Sequence, residues 1–217
     1  MDHTEPFHFV TERRLVLLTG LKAGNLVELL AILRDISGSS VFYHTHHRFL
    51  SHHWEKPVVY NDFARWASEA LQEFALAEKL SALDLLAYTS IRQVRDAIIA
   101  LITPFLPGPS VSPRQCLPGH EFHFRRSKSF VMPTFIVATD VEDFFAKLER
   151  VSNVSLYYHF LEARLRLDRP TNDFSQWLMW RGAPALAAAV DRLDPYTRTL
   201  DELKEEIIDL GRSCGVH

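Results

Sequence analysis

The chain has 217 residues and a formal net charge of −3, with the two signs interspersed, so it carries no long-range pull toward nucleic acid or anionic lipid. Hydrophobic residues make up 47% of it, including fifteen Phe and four Trp, which is ample for a buried core. The opening Met1-Asp2-His3-Thr4-Glu5-Pro6 lacks the flank and apolar run of a signal peptide, no stretch approaches the roughly 18 apolar residues of a membrane span, and Cys116 and Cys214 follow no metal or redox spacing. The expectation is a cytoplasmic protein with no membrane and no nucleic-acid partner.

The first elements read together with a second copy of themselves. Phe7-His8-Phe9 matches Phe122-His123-Phe124, and an ungapped register then runs through Tyr43-His44 over Tyr158-His159. Beyond a short deletion, Asn61-Asp62-Phe63-Ala64-Arg65-Trp66 falls on Asn172-Asp173-Phe174-Ser175-Gln176-Trp177, and Ile98-Ile99 falls on Ile207-Ile208. Self-similarity of this kind reads as a tandem duplication. Each copy opens on an alternating Phe-His-Phe and an apolar run too short for a helix, such as Leu15-Val16-Leu17-Leu18.

The first predicted helix carries Leu26, Leu29, Leu30, Leu33 and Ile36 on one face of a 3.6-residue period. Val141, Phe144, Phe145, Leu148 and Val151 repeat those offsets. Asn25 with Glu28, and Thr139 with Glu142, read as caps with an acidic partner. Ser39 or Ser40 is placed to cap the histidine-rich helix Val41–Trp54, as Ser155 is for its counterpart. After loops containing Pro57 and Pro170, Asn61-Asp62 and Asn172-Asp173 cap a third helix. A fourth covers about Phe74 to Leu83 and has its copy near Pro184. Ser90…Gln93 and Thr199…Glu202 are capping boxes opening the last helices.

The expected fold is all-α: two tandem, pseudo-two-fold-related repeats of four or five helices each, with room for a short extended pair where the Phe-His-Phe segments meet. The repeats span 5–106 and 120–212, joined by a Pro/Gly-rich connector over 107–119. Each repeat is near the lower size limit for an independent core, so the two are expected to pack as one globular unit, with two separate bundles as the alternative.

Five of the eleven histidines fall between His44 and His53. His44 and His47 are spaced i, i+3, so both rings can face one ion. The second copy offers His159 and Glu162, and facing helices can gather such a set around a divalent metal. Against this, His44 and His159 each follow a Tyr on an inward stripe, as core histidines do. His46, His52 and His53 have no counterpart and are expected on a solvated face. His8 and His123 lie between two Phe and point to solvent or into a cleft. Asp62 and Asp173 read as helix caps or as acids near a site, and Trp66 and Trp177 as core anchors. There is no phosphate-binding glycine loop, nucleophile elbow or His-Glu-x-x-His helix.

The combination of Phe-His-Phe, then Ser39-Ser40-Val41-Phe42-Tyr43-His44-Thr45-His46-His47-Arg48-Phe49-Leu50, then Asn61-Asp62-Phe63-Ala64-Arg65-Trp66 resembles an uncharacterised prokaryotic family of unknown function. The resemblance implies a bacterial or archaeal source and no assigned activity. The leading functional expectation is a binding or regulatory module, with a small molecule or protein partner in a groove between the copies around His8, His44, Asp62, His123, His159 and Asp173. The alternative is a metal-dependent enzyme using His44, His47, His159 and Glu162.

Overall fold

Phe7-His8-Phe9 and Phe122-His123-Phe124 have the period of an extended chain with one face buried, and each opens a long strand. The computed structural model describes residues 5–51, 61–162 and 171–215, with all side chains among them except those of 47–51, 86 and 196. Strand β1 spans Phe7–Ala23 and β2 spans Phe122–Ala138, paired as a two-stranded sheet. The pairing is antiparallel: Thr19, late in β1, reaches Phe124, while Thr134, late in β2, reaches Phe9. The all-α expectation is therefore incorrect, and the extended part is far longer than a short pair. Past its opening the ribbon buries no single face, with Leu15 52% and Leu18 78% exposed, so the alternation that betrays a half-buried strand is lost there.

Both strands leave the extended conformation at matching places. Thr19 Oγ1 donates to the Phe124 carbonyl at 2.7 Å and accepts from the Leu21 amide at 3.1 Å. Thr134 does the same with the Phe9 carbonyl (2.6 Å) and the Ile136 amide (3.2 Å). The residue after each threonine is left-handed: Gly20 at φ 78° and Phe135 at φ 61°. Glycine adopts this conformation freely, whereas phenylalanine is strained by about 1–2 kcal/mol.

Helix α1 (Leu26–Asp35) buries Leu26, Leu29, Leu30 and Leu33, and Asn25 caps it by accepting from the Glu28 amide. It is followed by α2 (Gly38–Ser51), α3 (Asp62–Glu69), α4 (Phe74–Ser81) and α5 (Ile91–Ile102). After β2 come α6 (Val141–Leu148), α7 (Asn153–Tyr157) running into a π-helical turn over Tyr158–Glu162, α8 (Asp173–Trp180), α9 (Pro184–Asp191) and α10 (Leu200–Ser213). Thr199 and Glu202 form the complete capping box of α10. The cap of α6 is Asp140, bonded to the Asp143 amide, rather than Thr139 with Glu142. Among the described residues no helix is long and apolar enough to cross a membrane.

The chain forms two compact units. The first takes residues 14–51 and 61–128, which are helices α1–α5, the end of β1 and the opening of β2. Its core seats Phe122 and Phe124 (4% and 1% exposed) against α2 and α3, with Phe122 stacked on Phe63 at 5.0 Å and edge-on to Trp66 at 5.7 Å. The second takes residues 5–13, 129–162 and 171–215, which are helices α6–α10, the end of β2 and the opening of β1. There Phe7 and Phe9 pack on Phe144, Phe7 edge-on to Trp177 at 5.7 Å and Phe9 stacked on Phe144 at 5.4 Å. Each helical set thus receives its aromatic plug from the strand that begins the other stretch of sequence. Two buried Phe contribute about 3–6 kcal/mol, comparable with the whole stability of many domains.

Candidate functional site

In the first unit α2 grips the opening of β2 by a single residue. His44 Nε2 accepts the Arg125 amide N–H at 2.9 Å, and Ser40 Oγ donates to the Arg125 carbonyl at 2.6 Å. Serine and histidine four apart lie on one helix face, so together they satisfy both backbone groups of Arg125, as a neighbouring strand would. The other ring nitrogen, Nδ1, lies 2.9 Å from Asp62 Oδ2 at the start of α3. Asn61 supplies the helix cap by accepting from the Ala64 amide, which frees the Asp62 carboxylate for His44 and for Arg65 at 3.1 Å. Trp66 closes the arrangement by donating its indole N–H to the His120 carbonyl at 2.7 Å.

The second unit repeats the grip. His159 Nε2 accepts the Val10 amide at 2.9 Å, Ser155 Oγ donates to the Val10 carbonyl, and His159 Nδ1 lies 2.9 Å from Asp173. The Trp177 indole donates to the Glu5 carbonyl at 3.0 Å. Ser40 and Ser155 are therefore not helix caps. Ser37 turns the start of α2 and Ser152 caps α7, and the hydroxyls expected there hold the strand instead.

This geometry fixes the proton. Because a backbone N–H can only donate, Nε2 of His44 must present its lone pair, so Nδ1 carries the hydrogen and gives it to Asp62. Burial pushes the His44 pKa below its ordinary value, against the hydrogen bond and charge of Asp62, which act the other way. Burial alone would raise the Asp62 carboxyl, but the His44 hydrogen bond and charge, with Arg65, hold it below the usual carboxylate range. The pair is a neutral imidazole on an ionised carboxylate. It has the look of a catalytic His–Asp dyad, yet the nitrogen that would take a substrate proton is already occupied.

The remaining predicted residues fall as follows. His159 and Glu162 lie in the π-helical turn, where Glu162 is buried and accepts from Ser129 at 3.3 Å. The His47 side chain, and His52 and His53 entirely, lie outside the described residues. His46 is not on a solvated face: it is 1% exposed and stacked on Phe42 at 4.8 Å, with Nδ1 2.6 Å from the Thr45 hydroxyl. His44 and His159 belong to different units, and both nitrogens of each ring are engaged there. Among the described residues no three His, Cys, Asp or Glu are grouped to hold a metal ion. His8 and His123 are exposed on their strands.

Beside His44, a cleft of about 240 Å³ opens between α2, α3 and the opening of β2. Its floor is the His44–Asp62 pair with Trp66, and its rim carries Arg65, His120, His123 and Arg125. Ala70 leaves the space beside Trp66 open. At the matching position of the second unit Arg181 lies over the Trp177 ring at 5.0 Å. Arg65, Arg125 and His120 correspond there to Gln176, Val10 and Glu5. Sequence reasoning missed the strand-holding role of Ser40 and Ser155, although Ser-x-x-x-His stands in both units. It missed the cleft because cleft and clasp both depend on pairing the opening of each strand with helices far from it in sequence.

Similarity to known proteins extends over nearly the whole chain. A solved structure described as that of OrfY from Thermoproteus tenax is similar at 29% sequence identity with a TM-score of 0.83, covering 97% of this chain and 96% of that one. No curated protein matches. The model of the family of unknown function DUF5752 matches residues 4–212, and the chain belongs to that family.

Proposed function

We propose that the protein is a ligand-binding module of regulatory type, working in the cytoplasm, and that its ligand site is the cleft of the first unit. The observation that carries this reading is the occupancy of His44. With Nδ1 on Asp62 and Nε2 on the Arg125 amide, an enzyme-like pair has no lone pair for a substrate or a metal, and it serves to build a cleft wall. The chain is read as an internal duplication whose second copy keeps the clasp but fills the space beside its tryptophan with Arg181. Retention of the clasp in both copies fits a structural role, and divergence of the rim fits a binding site kept on one side only.

A thermal-shift screen against metabolites tests the reading, run on the native chain and on Ala70→Trp, which fills the cleft. Ligands should raise the melting temperature of the native chain and lose that effect in Ala70→Trp. Equal shifts in both proteins, or none with any ligand, would overturn it. So would stoichiometric metal in the purified protein that disappears in His44→Ala.

A further inference from the structure

Two arginines, Arg65 and Arg125, line the cleft with three acids, and two of those acids are already engaged. Of its three acids, Asp62 has one oxygen on His44 and the other on Arg65, and Glu121 lies 3.6 Å from Lys22. Glu69 is the acid left over. Arg125 is exposed, and its peptide is fixed by Ser40 and His44 while its guanidinium faces no ion pair among the described residues. The His120 and His123 side chains are also exposed and make no hydrogen bond or ion pair among the described residues. Arg65 spends a terminal nitrogen on Asp62 and keeps further N–H donors, since a guanidinium has five.

From this we infer that the occupant of the cleft is a small multivalent oxyanion, of the phosphoryl or polycarboxylate kind, held by Arg125 with Arg65, His120 and His123. The inference rests on the binding reading above and specifies its ligand. Two arginine forks and two imidazoles suit an anion with several oxygens, because guanidinium matches a carboxylate or phosphate with paired N–H donors. The volume limits the ligand to a small metabolite rather than a polymer. A backbone clamp on Arg125 holds the root of its side chain in place before the ligand arrives, which lowers the ordering cost of binding. The second copy supplies an internal comparison: Gln176 and Val10 stand where Arg65 and Arg125 do, while Ser155 and His159 still hold the Val10 peptide.

The test uses the full chain, with pyrophosphate and citrate as probes, titrated calorimetrically at an ionic strength held constant with sodium chloride. The comparison variants are Arg125→Val and Arg65→Gln, each importing the residue of the other copy. Arg125→Val keeps the peptide that Ser40 and His44 bind, and an unchanged melting temperature without probe confirms its fold. One or both probes should bind saturably to the native chain, at least tenfold more weakly to Arg125→Val and more weakly to Arg65→Gln. Binding of pyrophosphate alone assigns a phosphoryl ligand, and binding of citrate alone assigns a polycarboxylate. No binding of either probe, or equal binding to Arg125→Val, overturns the inference. The binding module itself would survive that result if uncharged metabolites still bind in a way that Ala70→Trp abolishes.

Discussion

Replacing His44 by alanine should be among the most damaging single changes in the first unit. The ring lies 4.7 Å from Phe122, 5.6 Å from Phe63 and 6.0 Å from Phe124, so its removal leaves a hole among aromatic side chains, worth about 2 kcal/mol. The Arg125 amide loses its acceptor, and a partly buried N–H left unpaired costs about 1–3 kcal/mol. Asp62 loses a donor but keeps Arg65, which limits that contribution. A total of about 3–5 kcal/mol is expected, which at a urea slope of about 2 kcal/mol per molar moves the midpoint by roughly 2 M. The assay is urea unfolding followed by tryptophan fluorescence, with Trp66 in the same core as reporter. A double-mutant cycle with Asp62→Asn should return a coupling of about 1–3 kcal/mol, since the two groups touch. A loss below about 0.5 kcal/mol, or no coupling, would show that the clasp does not hold the strand and would refute the reasoning.

The neutral His44 makes stability depend on pH with a definite sign. Its folded pKa lies below the ordinary 6.5, so as pH falls past that value the unfolded chain takes up a proton that the folded chain does not. Stability should therefore fall from about pH 6.5 downward and level off below the folded pKa. Asp62, held below its ordinary 3.8, adds a second loss as pH drops below that value toward its folded pKa. Urea midpoints between pH 8 and 5 should decline in the native chain and decline less in His44→Gln; parallel curves would contradict the assignment. Phe135→Gly should raise stability by about 1 kcal/mol by relieving left-handed strain, since the ring is 90% exposed and loses little packing. A lower melting temperature for that variant would mean that the ring makes a contact that offsets its strain.

How much of this was legible in the sequence depended on whether the signal was local. The helix faces were, because Leu26, Leu29, Leu30 and Leu33 declare a 3.6-residue period and are all buried. The capping box of α10 was also legible from Thr199 and Glu202. The length of the strands was not, since Leu15 and Leu18 are exposed on a ribbon that past its opening buries no single face. Ser40 and Ser155 misled for a related reason. A serine near a helix start is ordinarily a cap, and only the distant peptides of Arg125 and Val10 give these hydroxyls their other partner. The burial of His46 was equally invisible, because its place against Phe42 has no counterpart in the second unit to flag it.

The crossed delivery of the two Phe-His-Phe plugs bears on how the protein comes off the ribosome. The clasp on Arg125 joins residues 81 apart, and the one on Val10 joins residues 149 apart. Helices α1–α5 emerge complete yet must wait for Phe122 and Phe124 before their core can shut, exposing apolar surface during synthesis. Residues 5–13, made before any of the helices α1–α10, are seated only when α8 has been made. Trimming a dozen residues from the amino end should therefore injure the unit nearest the carboxyl end.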